Sequence, residues 1–142
     1  MVRQHAPAIA RFLACGRFAV VGASADRSKY GNKVLRCYQQ HGMPVVGVNP
    51  RASEVEGVPC HASLQLAAAA PAPSPTPLAA SIVAPPHAAA SIVDDAVKAG
   101  VRHLWFQPGA EEPTAVAQAR AHGLEVIADG SCLLVALGFR DE

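Results

Sequence analysis

The strongest constraint on how this chain can fold is a rhythm. Short apolar runs alternate with stretches of helical periodicity, and a glycine closes three successive helical stretches. The runs are Phe18–Gly22 (FAVVG), Val45–Val48 (VVGV), His103–Phe106 (HLWF) and Glu125–Ala128 (EVIA). A fifth, Ala79–Ala84 (AASIVA), is diluted by alanine and serine. Continuous apolar runs without polar alternation suit parallel strands covered on both faces. Between them, Gly31–His41 places Val34, Leu35 and Tyr38 on one helical face before Gly42. Ala88–Ala99 does so with Ile92, Val93, Ala96 and Val97 before Gly100, and Thr114–His122 with Ala115, Val116 and Ala119 before Gly123. Pro113 suits a first helical turn, and Glu111 and Glu112 suit its positive end. Strand and helix therefore alternate as βαβ units. The expected fold is α/β, a Rossmann-like doubly wound parallel sheet of about five strands in the order 3-2-1-4-5.

The chain has 142 residues, which suits one domain spanning 1–142. Within it, Ala67–Pro77 (AAAAPAPSPTP) is low-complexity, and its prolines predict a surface loop without regular structure over 67–77. A polyproline ligand for a partner domain is the alternative for that loop. The net charge of +1 gives no broad field for nucleic acid or an anionic membrane. Any anion site must then be local, built from backbone N–H groups and one or two side chains. No apolar run reaches membrane-spanning length. The cysteines, Cys15, Cys37, Cys60 and Cys132, form no C-x-x-C pair, so neither a zinc knuckle nor a redox motif is expected. The opening MVRQHAPAIARFLACGRF is basic, and reads as a short helix in a reducing cytoplasm; a mitochondrial presequence is the alternative.

The strongest local signal is VVGASADRSKYGNK, Val20–Lys33. A strand ends at Gly22, a turn of small residues follows, and a helix begins near Gly31. Parallel sheets bind ligands at the carboxyl ends of their strands. Gly22, Ala23 and Ser24 lack bulk, so their N–H groups can approach a phosphate, with the helix N-terminus supplying further donors. The same residues would equally serve as a tight turn that binds nothing. The G-x-G-x-x-G fingerprint is absent, since Ser24 and Arg27 stand where glycines would be required. The second strand exits as Val48–Asn49–Pro50–Arg51, without the acid that an NAD site uses for its ribose. Arg51 instead suits a phosphorylated ribose, as in CoA or NADP, or is a solvated loop charge. Pro85 and Pro86 form another rigid strand exit, and His87 beside them is the one histidine at the rim of this site.

FAVVGAS, YGNKV, VVGVNPR and HLWFQPG, in that order, resemble the small CoA-binding-domain proteins of the YccU-like family. That domain is similar to the CoA-binding part of the succinyl-CoA synthetase alpha subunit. The resemblance runs from about Phe18 to Cys132. It implies coenzyme A lying across the strand carboxyl ends. By position it implies contacts from Gly22, Ala23, Ser24, Asn49, Pro50, Arg51 and Pro85, together with Lys29 and Gln107. Cys132 follows the last strand on the same side. It is either a small buried side chain or a thiol placed to form a mixed disulfide with CoA.

No catalytic set emerges, because no Ser-His-Asp or Cys-His arrangement can be argued from spacing. His41 and His122 fall at helix ends, where a cation suits the dipole. The expected function is binding of CoA or an acyl-CoA through the ADP 3′-phosphate portion, as a non-catalytic sensor, carrier or regulatory module. The rivals are an NADP-dependent oxidoreductase and an accessory subunit of an acyl-CoA ligase. Expected partners are CoA or an acyl-CoA, and either another protein or a second copy of the chain.

Overall fold

A computed structural model describes residues 5–72 and 76–142. Its strands are β1 (Arg17–Val21), β2 (Val45–Val48), β3 (Glu54–Val55), β4 (Val58–His61), β5 (Leu78–Ile82), β6 (His103–Phe106) and β7 (Glu125–Ile127). Its helices are α1 (Pro7–Leu13), α2 (Tyr30–Gln40), α3 (Leu64–Ala69), α4 (Ala89–Ala99), α5 (Pro113–Ala121) and α6 (Leu133–Leu137), with a 3₁₀ turn at Pro86–Ala88. Among the described residues one sheet of seven strands runs β3-β4-β2-β1-β5-β6-β7. All its pairings are parallel except β3 with β4.

Because the strands are covered on both faces, successive side chains enter different cores. Ala19 and Val21 of β1 face α3, α4 and α5, among Leu64, Val93, Leu104, Phe106 and Val116. Phe18 and Val20 face α1, α2 and α6, among Phe12, Leu35, Tyr38, Trp105 and Leu133. On that second face Phe18 stacks on Tyr38 with centroids 4.8 Å apart, and Phe12 meets Trp105 edge-on at 5.3 Å. The Tyr38 hydroxyl is satisfied by Ser81 Oγ at 2.6 Å, which lets a phenol sit fully buried against the central strand.

The α/β class and the Rossmann-like sheet agree with the sequence reading, but strand count and order differ from it. All five expected strands form. The Ala79–Ala84 run, as β5, lies beside β1 and not beyond β2. The place beyond β2 is taken by β4, whose VPCH sequence has neither an apolar run nor alternation to reveal it. Pro59 cannot donate to a ladder and argues against a strand, but β4 has only the two-residue β3 outside it. The β3–β4 hairpin turns through Glu56 (φ 51°) and Gly57 (φ 81°). Positive φ at both central residues matches the twist of a two-residue hairpin.

The Ala67–Pro77 expectation also needs correction. Residues 67–69 form the last turn of α3, and Ala67 is buried in the core. Ser63 Oγ accepts from Leu66 N at 3.1 Å, and the Asp95 carboxylate accepts from Leu64 N and Gln65 N at 2.8 and 3.2 Å. Capping from within the helix and from α4 holds an alanine-rich turn that its own sequence barely specifies. Residues 70–72 and 76–77 have no regular structure, and the rest of the expected loop lies outside the described residues. No helix among the described residues is long and apolar enough to cross a membrane.

Candidate functional site

The sheet order separates at β1 and β5, whose following helices pack on opposite faces of the sheet. Over the carboxyl ends of β1, β2 and β5 lies an open cleft of about 1170 Å³. Its walls include Gly22, Ala23, Ser24 and Lys29 on the first turn and Asn49, Pro50 and Arg51 after β2, with Pro85 and His87 after β5. Eight of the nine cofactor contacts expected from the sequence thus meet in one cleft, and His87 stands at its rim as expected. The ninth, Gln107, is fully buried and does not line it. Gln107 N donates to Ile82 O at 3.0 Å, so the residue sits beside Val83 and behind the cleft wall.

Backbone contact shapes the first turn. Gly22 has φ +98°, donates to Val48 O at 3.1 Å, and lies so close to β5 that a Cβ there would overlap the Val83 carbonyl oxygen. Gly31, in the first turn of α2, lies against the Gly22 carbonyl in the same way. The helix therefore starts directly on the loop backbone. This is the close helix–turn packing that the dinucleotide fingerprint obtains with a glycine at another spacing.

Three buried or half-buried amides and a guanidinium hold the loop in place. Asn32 is completely buried; its Nδ2 donates to Ser24 O at 2.8 Å and to Glu56 Oε2 at 3.0 Å. Asn49 Nδ2 donates to Ala23 O at 2.9 Å, and its Oδ1 accepts from Arg51 N at 2.8 Å. Asn49 therefore positions loop and rim, and its side chain is already engaged. Arg36 donates from Nε to Asn32 Oδ1 at 2.6 Å and from Nη2 to Arg27 O and Asp141 Oδ1, each at 3.2 Å. Its guanidinium also lies 5.1 Å from the Phe139 ring centroid. Gln39 Nε2 completes the frame by donating to Glu56 O at 2.8 Å.

The carbonyls of Ala23 and Ser24 are tied back, and the N–H groups of these two cleft-lining residues have no acceptor among the described residues. α2 has no side-chain cap, so its first N–H groups are open as well. Neither Lys29 nor Arg51 forms an ion pair among the described residues. At the far end of the cleft the acids are occupied. Asp94 pairs with Lys98 at 2.9 Å, and Asp95 caps α3. Asp26, next to the loop, is held below the usual carboxylate range by the Ser28 hydroxyl and N–H that donate to it. Donors without acceptors and cations without a close ion pair at one end, with hydrogen-bonded or paired acids at the other, suit an anionic, elongated ligand.

Sequence reasoning missed Tyr30, Gly31 and Asn32. The YGNK string at the helix start carried the signal, because a glycine and a buried amide there make sense only against a nearby backbone. It also missed Ser63, Gln65 and Ser91 on the far wall, which ordinary helix-start polarity does not distinguish from solvent-facing residues.

A family described as the CoA binding domain matches residues 16–137. The chain is similar to a conserved hypothetical protein from Pyrococcus furiosus, with 34% identity and TM-score 0.73 over 84% of this chain and 97% of that one. It is also similar to a Thermus thermophilus protein solved as cell-free ID.343, with 26% identity and TM-score 0.76 over 90% and 92% of the two chains. A third neighbour is a dinucleotide-forming acetyl-coenzyme A synthetase from Candidatus Korarchaeum cryptofilum, solved with phosphate and ADP. It shares 30% identity with TM-score 0.66 over 81% of this chain, but that match spans only 26% of the synthetase. No curated protein matches the chain at a comparable level.

Proposed function

The chain belongs to the CoA-binding-domain family, and from that premise we propose that its cleft holds coenzyme A or an acyl-CoA by the phosphorylated ADP portion. One observation carries the reading. Ala23 and Ser24, whose N–H groups have no acceptor among the described residues, line a cleft whose cations, Lys29 and Arg51, form no close ion pair among the described residues. Gly22 and Gly31 let the backbone come close, so a pyrophosphate fits against the turn and the α2 N-terminus. Arg51 then meets the 3′-phosphate, and Pro50 and Pro85 form rigid walls. Asn49 acts by fixing Ala23 and Arg51. The chain serves as a non-catalytic sensor, carrier or regulatory module, with the adenosine end as its handle.

Thermal denaturation tests this directly. A ligand that binds only the native state stabilises it by about 2.7 kcal/mol at a hundredfold excess over Kd. CoA is expected to raise Tm most, NADP less, because its phosphate sits on the neighbouring ribose oxygen, and NAD least. A larger shift with NADP than with CoA would return the site to an oxidoreductase reading. Replacement of Ser24 by leucine puts bulk where the phosphate must approach the backbone. It is expected to abolish the CoA shift while the ligand-free Tm changes little, since Ser24 is only partly buried. An undiminished shift in Ser24→Leu would place the phosphate elsewhere.

The synthetase likeness supports a second reading, in which this chain supplies the CoA-binding part of a ligase assembled from separate chains. Co-purification of a synthetase partner with the tagged chain, in a CoA-dependent manner, distinguishes that role from a free-standing module.

A further inference from the structure

We infer that Glu56, at the tip of the β3–β4 hairpin, is a positioning residue for ligand binding that sets the Gly22–Ser24 turn through Asn32; this rests on the CoA reading above. The hairpin extends the sheet very little, because β3 has two residues and lies at the sheet edge. Val55 anchors it in the core that packs on α2. Glu56, the next residue, stands at φ 51°, in the left-handed region that costs a glutamate free energy. A two-residue turn of this kind is best made by Asn-Gly or Gly-Gly. A residue is kept in such a conformation only when its surroundings hold it there, and strain of this kind clusters at functional sites.

Three contacts hold Glu56. Its Oε2 accepts from Asn32 Nδ2 at 3.0 Å and lies 3.6 Å from Arg27 Nε, and its carbonyl oxygen accepts from Gln39 Nε2 at 2.8 Å. Asparagine or glycine at this position would suit the turn and keep the Gln39 bond. What glutamate adds is reach. Its carboxylate meets one hydrogen of an amide whose other hydrogen goes to Ser24 O at 2.8 Å. Asn32 is completely buried, and its Oδ1 is taken by Arg36 Nε at 2.6 Å. Ser24 belongs to the turn and Arg36 to α2, so Glu56 is the partner that comes from a third element. Without it a buried amide hydrogen has no acceptor, and rotation of Asn32 toward another one would release Ser24 O.

A carboxylate inside an anion site would repel the ligand. Glu56 does not line the cleft, and the Arg27 guanidinium stands beside its charge. It therefore orients the turn from outside the site and touches no ligand. Its action differs from that of Arg51, which is placed for the 3′-phosphate. Glu56 governs the turn that receives the pyrophosphate, a group that CoA and dephospho-CoA share.

Calorimetric titration of the full chain with CoA and with dephospho-CoA, at a temperature where each variant is folded, tests this. Glu56→Asn is expected to weaken both ligands by the same factor, about tenfold. Its ligand-free Tm should change little, because a residue suited to the left-handed turn offsets the lost bond. Glu56→Gln keeps an oxygen at the same reach and should bind both ligands nearly as well as the parent. Glu56→Gly, which also suits the turn, repeats the asparagine arm should that variant fail to fold. Parent-like affinity in Glu56→Asn or Glu56→Gly would overturn the inference, whatever happens to Tm. So would a loss in Glu56→Gln as large as that in Glu56→Asn, since the effect would then lie in the charge and not in the bond to Asn32. If the parent binds CoA and all these variants bind it equally well, only this inference fails. If the parent does not bind CoA, the CoA reading fails and this inference with it.

Discussion

Arg51→Ala is expected to weaken CoA binding by roughly ten- to a hundredfold, the loss of one charge-assisted contact of about 1.5–3 kcal/mol. Dephospho-CoA lacks the 3′-phosphate. It should bind the parent weakly and bind the Arg51→Ala protein equally weakly. Four affinities, from two proteins and two ligands, close a cycle whose coupling isolates the guanidinium–phosphate pair. The fold should not change, because the Arg51 side chain is exposed and its guanidinium has no partner among the described residues. Only its backbone N–H is used, by Asn49, and alanine keeps that bond. Equal losses for CoA and dephospho-CoA would put Arg51 on the pyrophosphate. No loss for either would make it a solvated loop charge.

Gly22→Ala should destabilise the fold by about 2–5 kcal/mol, combining backbone strain at positive φ with an overlap that only movement of β5 can relieve. Gly22 has φ +98°, and its added Cβ would fall on the Val83 carbonyl oxygen. Gly100 separates the two causes. It also has positive φ, +76°, but an added Cβ there meets nothing within 4 Å. Gly100→Ala should therefore cost only about 1 kcal/mol. Urea denaturation of both variants measures the difference. Similar losses for the two would show that strain alone governs Gly22, and that β1 and β5 need not approach so closely.

Much of this was legible in the sequence because burial on both faces leaves a plain trace. FAVVG, VVGV and HLWF mark their strands without help, and Gly42, Gly100 and Gly123 mark where helices stop. The strand at Val58–His61 left no such trace. Its Pro59 and partly exposed side chains read as loop, and its place depends on pairing with β2 and on a turn through Glu56 and Gly57. That omission is also why the order came out differently, since the expected third strand was assigned the position that β4 occupies. Alanines 67–69 looked like loop because proline follows them. Their helix is fixed by Ser63 and by Asp95, a carboxylate about thirty residues away in sequence that no local pattern could supply. The cleft was readable where small residues follow a strand. The buried Asn32, Arg36 and Gln107 were not, because a polar residue on a helix or strand end reads by default as solvent-facing.

The Gly22–Ser24 turn is not a free loop. Ser24 O is held by Asn32, Asn32 by Arg36, and Arg36 by Arg27 O, Asp141 and the carbonyl of Glu142, with Phe139 under the guanidinium. Loop, helix and tail are thereby latched in series. Opening the turn far enough to change its donors means breaking a buried amide–guanidinium bond and lifting residues 139–142 together. Fluctuations that would smear the donors over many orientations are opposed by every bond of this series. The ordering entropy that an anion bound at this turn would otherwise cost is met when the chain folds, through contacts more than a hundred residues of sequence away.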